Sequence, residues 1–170
     1  MPTIIEENLT FTFPVSWRAE KFDATNFYTK HFQKLASSKA VDIVVLTSAN
    51  VLWLIEVKDY RANRRSKTLD VFTEVVAKVR DTLAGLIVLQ RRTADTLQPF
   101  AARLTNTHSF RVALHFEQPA KHSKLYPVVV ERANAKLKFR QAVRVVDPRA
   151  IFCEIGAMPS ACEWQVSRQG

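Results

Sequence analysis

Two runs of β-forming residues, at 41–46 and 51–57, give this chain its clearest hydrophobic pattern. Between them, Ser48, Ala49 and Asn50 suit a three-residue turn in which Asn50 takes the left-handed backbone conformation. Apolar side chains occupy both faces of the two runs, so we expect both faces to be covered by other elements. The pattern predicts an antiparallel β-hairpin in the interior of a sheet.

The predicted turn fixes the register of this hairpin. The turn pairs Thr47 with Val51, and counting outward from that pair places Asp42 opposite Glu56. The two carboxylates then share one face of the sheet, with Cβ atoms about 5 Å apart. Lys58 lies on the same face, two residues farther along its strand. A turn one residue longer or shorter would send the Asp42 side chain to the other face, so the prediction depends on register.

Two opposed carboxylates with a lysine beside them indicate a site for a divalent metal ion. Carboxylates this close repel, and the pKa of one of them rises unless a cation lies between them. A bound metal supplies that cation, and it can also place water for attack on a phosphodiester. The alternative is a solvated cross-strand ion pair, which is common where Glu and Lys end a strand.

Helices and strands are predicted on either side of the hairpin. Apolar residues at helical spacing predict a first helix over 17–35 and an amphipathic helix over about 68–90. Strict alternation predicts a strand over 110–117. The other expected elements are a short helix at 95–104, a basic helix at about 121–141, a strand at 143–147 and a tail through 164–166 that either forms an edge strand or frays. The basic helix either lies along a nucleic-acid backbone or presents a solvated outer face.

The hairpin resembles the PD-(D/E)xK nuclease superfamily. The resemblance rests on Ala-Val-Asp-Ile-Val-Val at 40–45 and Leu-Ile-Glu-Val-Lys-Asp-Tyr-Arg at 54–61. It implies an α/β fold of mixed type, with a restriction-endonuclease-like central mixed β-sheet flanked by helices on both faces. Two departures are Val41 where the family usually has proline, and a missing strand between the first helix and the Asp42 strand. A strand at 8–13 would make the topology a variant.

The resemblance also implies the role of each site residue. Asp42 and Glu56 match the acids that bind Mg²⁺, together with the Val57 carbonyl, and Lys58 matches the lysine that orients or activates the attacking water. Glu20, on the predicted first helix, matches by position a glutamate that often joins the metal site. Glu20 is otherwise a first-turn acid that complements the helix dipole. If Asp23 caps a shorter helix instead, Glu20 lies in a loop.

A basic connector follows the hairpin and leaves the expected site. Its candidate nucleic-acid-binding residues are Tyr60, Arg61, Arg64, Arg65 and Lys67. These residues either bind the phosphates that flank the scissile bond or form a solvated loop.

Composition agrees with a nucleic-acid partner. The 170 residues fit one domain, 1–170, and the net charge of +9 favours an anionic partner, nucleic acid before membrane. The N-terminal residues show no basic region followed by an apolar run, and no apolar stretch approaches the length that spans a bilayer. We therefore expect no secretory leader and a cytoplasmic protein. Its two cysteines lack metal-ligand spacing and are expected to be reduced.

Other chemistries find little support in the sequence. Three glycines cannot form a phosphate-cradling loop, and the four histidines are too scattered for a zinc site. We therefore expect a Mg²⁺-dependent endonuclease, with Mn²⁺ as a substitute, that hydrolyses DNA, and RNA is left open. The family resemblance implies a homodimer or a larger complex. The alternative is a non-catalytic nucleic-acid-binding or protein-interaction module that keeps the nuclease fold.

Overall fold

A computed structural model describes residues 1–61, 65, 69–92, 95, 97–121, 123–125 and 127–169. In chain order, the strands of these residues are β1 (Thr3–Glu6), β2 (Leu9–Thr12), β3 (Arg18–Lys21), β4 (Ile43–Leu46), β5 (Val51–Asp59), β6 (Ser109–Glu117), β7 (Ile151–Cys153) and β8 (Gln165–Arg168). The α-helices are α1 (Asn26–Lys30), α2 (Val71–Gln90), α3 (Gln98–Arg103) and α4 (Arg132–Val143). Short 3-10 helices lie at Phe22–Ala24, Phe32–Lys34, Leu104–Asn106 and Ile155–Ala157.

The strands form a large sheet and a small one. The large sheet has the order β3-β4-β5-β6-β7, and the small sheet has the order β1-β2-β8. Strands β3, β4 and β5 pair antiparallel, whereas β6 pairs parallel with both β5 and β7. The central sheet is therefore mixed and the protein is of mixed α and β class, as the sequence predicted.

The hairpin has the predicted register. Leu46 lies opposite Leu52 and Ile43 opposite Ile55, so the next pair outward is Asp42 and Glu56. The Thr47 N–H donates to the Val51 carbonyl at 3.0 Å, and Asn50 has a φ of 55°, as expected for the left-handed residue of this turn.

The two faces of the large sheet are covered differently. The face that carries Val44 and Leu54 packs against all four α-helices, and the opposite face, with Val45 and Trp53, packs against the small sheet. The prediction of helices on both faces is therefore wrong. The N-terminal residues alternate as a strand does, with Leu9 and Phe11 fully buried, and such a ribbon covers a sheet face as a helix would.

The predicted first helix over 17–35 is wrong as well. Residues 18–21 form β3, which pairs with the outer edge of β4, and only the five residues of α1 are α-helical. Thr25 caps α1, since its side chain accepts a hydrogen bond from the Tyr28 N–H. The apolar residues of this segment do face the core, because Phe27 and Phe32 are buried. They lie on two separate short helices, α1 and the 3-10 helix that follows it, and not on one long helix.

The predictions for the elements that follow the hairpin were largely confirmed. The structure contains the helix at 71–90, the short helix at 98–103 and the strand at 109–117. The tail forms β8, an edge strand on β2. The basic helix begins only at Arg132 and continues through Val143, so the strand predicted over 143–147 is wrong and β7 follows it instead. Among the described residues, no helix is both long and apolar enough to cross a membrane.

Candidate functional site

The open end of the β4–β5 hairpin holds the predicted carboxylates. Asp42 is buried, and its Oδ2 accepts a hydrogen bond of 2.7 Å from the Val57 N–H. The bond fixes the Asp42 carboxylate across the two strands, beside the residue whose carbonyl was predicted as a ligand. The Asp42 backbone is fixed too, because its carbonyl accepts from the Phe22 N–H at 2.8 Å.

Glu56 is completely buried, and its carboxylate lies between two lysines. Its Oε1 is 2.6 Å from the Lys58 Nζ and 2.6 Å from the Lys78 Nζ. Among the described residues, its Oε2 has no hydrogen-bond partner. Burial, and next the charge of Asp42, raise the pKa of Glu56 to about 8, although both lysines act in the opposite direction. Burial and the charge of Asp42 thus favour the protonated form of Glu56, whereas the two ammonium groups favour its ionised form.

Lys58 lies where the sequence predicted and remains charged. Its Nζ contacts Glu56 at 2.6 Å and Glu74 at 3.2 Å. Burial is the largest influence and lowers the pKa of Lys58, but the charges of Glu56 and Asp42, together with the hydrogen bond to Glu56, raise the pKa above its ordinary value. Lys58 is therefore an ammonium group at neutral pH, suited to orienting water or stabilising negative charge but not to accepting a proton.

Lys78, which the sequence interpretation missed, links the two acids directly. Its Nζ is 3.1 Å from Asp42 Oδ1 and 2.6 Å from Glu56 Oε1. The two carboxylate oxygens thus approach one nitrogen from either side, which confirms that the acids share a face and lie close together. Burial would lower the pKa of Lys78, yet the charges of Glu56 and Asp42 raise it.

A second group of acids approaches Asp42 from the N-terminal segment. Carboxylate oxygens of Glu6, Asp23 and Asp42 lie within 4.8 Å of one another. Burial, and next the charges of Asp42 and Glu6, raise the pKa of Asp23 to about 6. Lys21 partly balances this group, with its Nζ 2.8 Å from Glu6. Asp42 therefore belongs to two carboxylate groups, and oxygen ligands of this kind suit a hard cation such as Mg²⁺.

Glu20 does not have the position that its predicted helix implied. It lies on β3, paired with Val44, at the edge of the large sheet. Burial raises the pKa of Glu20 and the charge of Arg18 opposes the rise. The acid from this part of the chain that reaches Asp42 is Asp23, because the strand β3 ends at Lys21 and the chain turns through a 3-10 helix there.

The predicted phosphate-gripping residues are held by the protein itself where the structure describes them. Arg61 forms a bidentate pair with Asp59, at 2.8 and 2.5 Å. The Tyr60 hydroxyl accepts from Arg65 at 2.6 Å, and Arg65 also contacts Glu74 at 3.3 Å. Arg64 and Lys67 lie outside the described residues. The described part of the connector therefore neutralises acids next to the site.

Another polar cluster lies in the core but is inaccessible to a substrate. His115 Nε2 is 3.0 Å from Glu117 Oε1, and the Cys153 Sγ is 3.7 Å from His115 Nδ1. The order cysteine, histidine, carboxylate is that of a nucleophilic triad, but His115 and Cys153 are both fully buried. Glu117 also accepts from the Ile155 N–H at 2.7 Å, which ties β6 to the segment after β7. We assign this cluster a structural role. Cys153 and Cys162 form no disulfide in the structure.

Comparison with curated proteins finds a similarity to the cysteine–tRNA ligase of Neisseria meningitidis serogroup A. The two sequences are 32% identical over 174 residues, which cover 82% of this chain and 25% of the ligase. The chain thus spans about a quarter of the length of this relative. No family model and no solved structure matches the chain.

Proposed function

We propose that this protein is a metal-dependent nuclease with a restriction-endonuclease-like fold, which hydrolyses phosphodiester bonds of DNA. The observation that carries the proposal is the convergence of Asp42, Glu56 and Lys58 at one end of the hairpin. The Lys58 Nζ lies 2.6 Å from Glu56, and the two acids are close enough together that both contact the Nζ of Lys78, at 3.1 and 2.6 Å. A mixed sheet that presents two acids and a lysine in this order supports membership of the PD-(D/E)xK superfamily.

The chemistry of the ligands fits Mg²⁺, with Mn²⁺ as a substitute. Asp42, Glu56 and the Val57 carbonyl would hold the ion, which when bound lowers the pKa of water and polarises the phosphoryl oxygen. Lys58 keeps its proton, so its part is to orient the water and to stabilise charge that develops on the phosphate. Burial of Glu56 excludes bulk solvent from this side of the site and strengthens each of these interactions.

A nuclease assay with matched variants tests this proposal. Wild-type protein with Mg²⁺ or Mn²⁺ is expected to cleave at least one of linear, nicked, branched or single-stranded DNA. Asp42→Asn and Lys58→Met are expected to lose about 10²-fold or more of the rate, since each removes a group that acts on the reacting atoms. Lys138→Met, on the exposed side of α4, is the control for loss of one positive charge and should cleave as the wild type does.

RNA belongs in the same assay. The relative in Neisseria meningitidis is a cysteine–tRNA ligase, so tRNA is the RNA to include as a substrate.

We propose that the protein acts in the cytoplasm, as a homodimer or within a larger complex. Sedimentation of the purified chain with and without the cleaved substrate measures the assembly state.

Lys78 favours a second candidate function, a non-catalytic module that binds nucleic acid or protein. Its ammonium group already lies between Asp42 and Glu56, where an ion would otherwise balance the two acids. Titration with Mn²⁺, followed by electron paramagnetic resonance, separates the two candidates. Binding that is lost in Asp42→Asn supports the nuclease. Absence of Mn²⁺ binding, together with no cleavage of any substrate, supports the module and contradicts the nuclease.

A further inference from the structure

A pocket with four basic side chains lies beside β7, the edge strand of the large sheet. Its cavity has a volume of about 290 Å³. We define this cationic pocket by Arg111, Lys136, Arg140 and Arg149, which line it together with apolar side chains from β7 and from the segment that follows. None of these four residues takes part in the carboxylate site.

Two of the four cations are fixed in position by the fold. The Arg111 Nε is 3.0 Å from Asp147, its Nη2 donates to the Arg149 carbonyl at 3.1 Å, and its guanidinium lies 4.5 Å from the Trp53 ring centroid. The Arg140 Nε donates to the Ala150 carbonyl at 3.0 Å. A ligand therefore meets two guanidinium groups that are already oriented, which lowers the entropy cost of binding.

The pocket has an excess of positive charge. Within the described part of the chain, Lys136, Arg140 and Arg149 form no salt bridge with a carboxylate, and the acid that pairs with Arg111 is Asp147. The Asp147 carboxylate is also engaged by two backbone groups, the N–H of Val112 and the N–H of Arg149. Helix α4, which carries Lys136 and Arg140, contains no acidic residue. An anion in the pocket would relieve the repulsion among these cations.

We propose that the cationic pocket binds a phosphate group, carried either by a free nucleotide or by a nucleic-acid strand. Guanidinium groups match the oxygens of phosphate with paired, charge-assisted hydrogen bonds. A neighbouring cavity of about 270 Å³ shares Arg111 and is also lined by Trp17 and Trp53. A nucleotide whose phosphate lies in the cationic pocket would direct its sugar and base toward this second cavity, which the carboxylate residue Glu163 also lines. The proposal does not depend on nuclease activity.

The full chain in EDTA tests the proposal, because chelation keeps divalent ions away from the carboxylate site. One probe is 5′-AMP, measured by calorimetry, and the other is a short fluorescein-labelled single-stranded DNA without a terminal phosphate, measured by anisotropy over a range of salt concentrations. The pocket variant is K136Q/R149Q, which changes two exposed side chains. The control is K138Q/R144Q, which removes the same charge from exposed positions at the same helix but outside the pocket.

The pocket variant is expected to bind at least one probe about tenfold more weakly than wild type. For the DNA, the slope of log K against log salt should fall by about 1.4, because two cations that neutralise phosphates have been removed and each contributes about 0.7 on a single strand. The control should stay within about twofold of wild type. Weaker AMP binding identifies a nucleotide as the source of the phosphate, and weaker DNA binding alone identifies the strand. Equal weakening in both variants, or no binding of either probe by the folded wild type, would overturn the proposal. Circular dichroism verifies that the variants are folded.

Discussion

Charges of opposite sign alternate in a row that begins at the end of the hairpin, includes two residues of helix α2 and ends in the connector that follows the hairpin. Each member of this row contacts the next, in the order Asp42, Lys78, Glu56, Lys58, Glu74 and Arg65. Each charge in the row has an opposite charge beside it, which is the condition under which a protein interior retains charged groups. The row also means that Lys78 and a metal ion compete for one position.

Replacement of Lys78 by methionine is expected to leave Asp42 and Glu56 without their shared cation. Removing one partner of a buried ion pair costs about 3–5 kcal/mol, so the free energy of unfolding should fall by an amount of this order. Mn²⁺ should recover part of the loss, because it can take the position of the ammonium group and stabilises the folded state by binding it. Thermal unfolding with and without Mn²⁺ measures both effects.

Lys138→Met is the matched control for Lys78→Met, since it removes an exposed lysine of α4. Its melting temperature should change little, with or without Mn²⁺. A Lys78→Met protein that Mn²⁺ stabilises no more than it stabilises the wild type would show that the two acids do not hold an ion.

The sequence contained a signal for Lys78 that the apolar pattern concealed. Glu74, Lys78 and Thr82 are spaced four residues apart, so they lie on one side of α2. Glu74 and Thr82 are completely buried, and the Thr82 hydroxyl accepts from the Val41 N–H at 2.9 Å. A polar stripe on the sheet-facing side of an otherwise apolar helix marks residues that partner buried polar groups of the sheet.

At the scale of elements, the β4–β5 turn positions the site, because a change in its length would move Asp42 to the other face. Asn50 holds this turn with a positive φ. Asn50→Val is expected to lower the free energy of unfolding by about 1–2 kcal/mol, since a β-branched residue is strained in the left-handed conformation. Urea denaturation measures the change.

Asn50→Gly serves as the comparison for this turn, because glycine adopts a positive φ without strain. It should be close to wild type in stability. Equal destabilisation by valine and glycine would mean that the Asn50 side chain, and not its backbone conformation, stabilises the turn.

Local chemistry explains which elements the sequence could predict. The hairpin register follows from three turn residues, and the long helix α2 follows from its spacing and from Asp70, whose side chain caps it. Residues 18–21 could not be assigned in this way. Their strand exists because β4 offers an unpaired edge, which is a tertiary effect that outweighs local propensity. Glu6 and Asp23 were missed for the same reason, since β1 and β3 bring them to Asp42.

At the scale of the whole molecule, the acids and the excess cations are separated. The acids gather where β4 begins, while the cationic pocket lies at the edge strand β7, with Arg111 next to Trp53 nearer the hairpin turn. The net charge of +9 therefore does not describe the surface near Asp42. A strand of nucleic acid would be attracted by the basic regions, and a cation would have to offset the acids before a phosphate approached them.

The stability of the whole molecule should depend on pH through Glu117. Burial is the largest influence and would raise the pKa of Glu117, but hydrogen bonds from His115 and from the Ile155 N–H, together with the charge of Arg61, lower the pKa below its ordinary value of 4.5. The stabilisation is therefore complete above the ordinary pKa and is lost as the pH falls through the lower, folded-state value. Wild type should exceed Glu117→Gln in stability by about 1.5–3 kcal/mol at neutral pH.

Urea denaturation of both proteins between neutral and strongly acidic pH measures this difference. The difference in the free energy of unfolding between the two proteins should be constant around neutral pH. It should narrow only when the pH falls below the ordinary pKa range of a carboxyl group. Glu131→Gln, which changes an exposed acid at the start of α4, should show no such trend. A gap that widened as the pH fell would contradict the assignment.

The alternating row of charges restricts which substitutions this end of the protein can accept, in evolution or in mutagenesis. Because each interior member neutralises two neighbours, a single substitution leaves a surplus on both sides, whereas a reversal of two adjacent members preserves the balance. The changes in the free energy of unfolding that substitutions at these positions cause should be strongly non-additive. We therefore expect that the substitutions tolerated at these six positions occur in pairs, in which a change at one residue is compensated by a change at its neighbour.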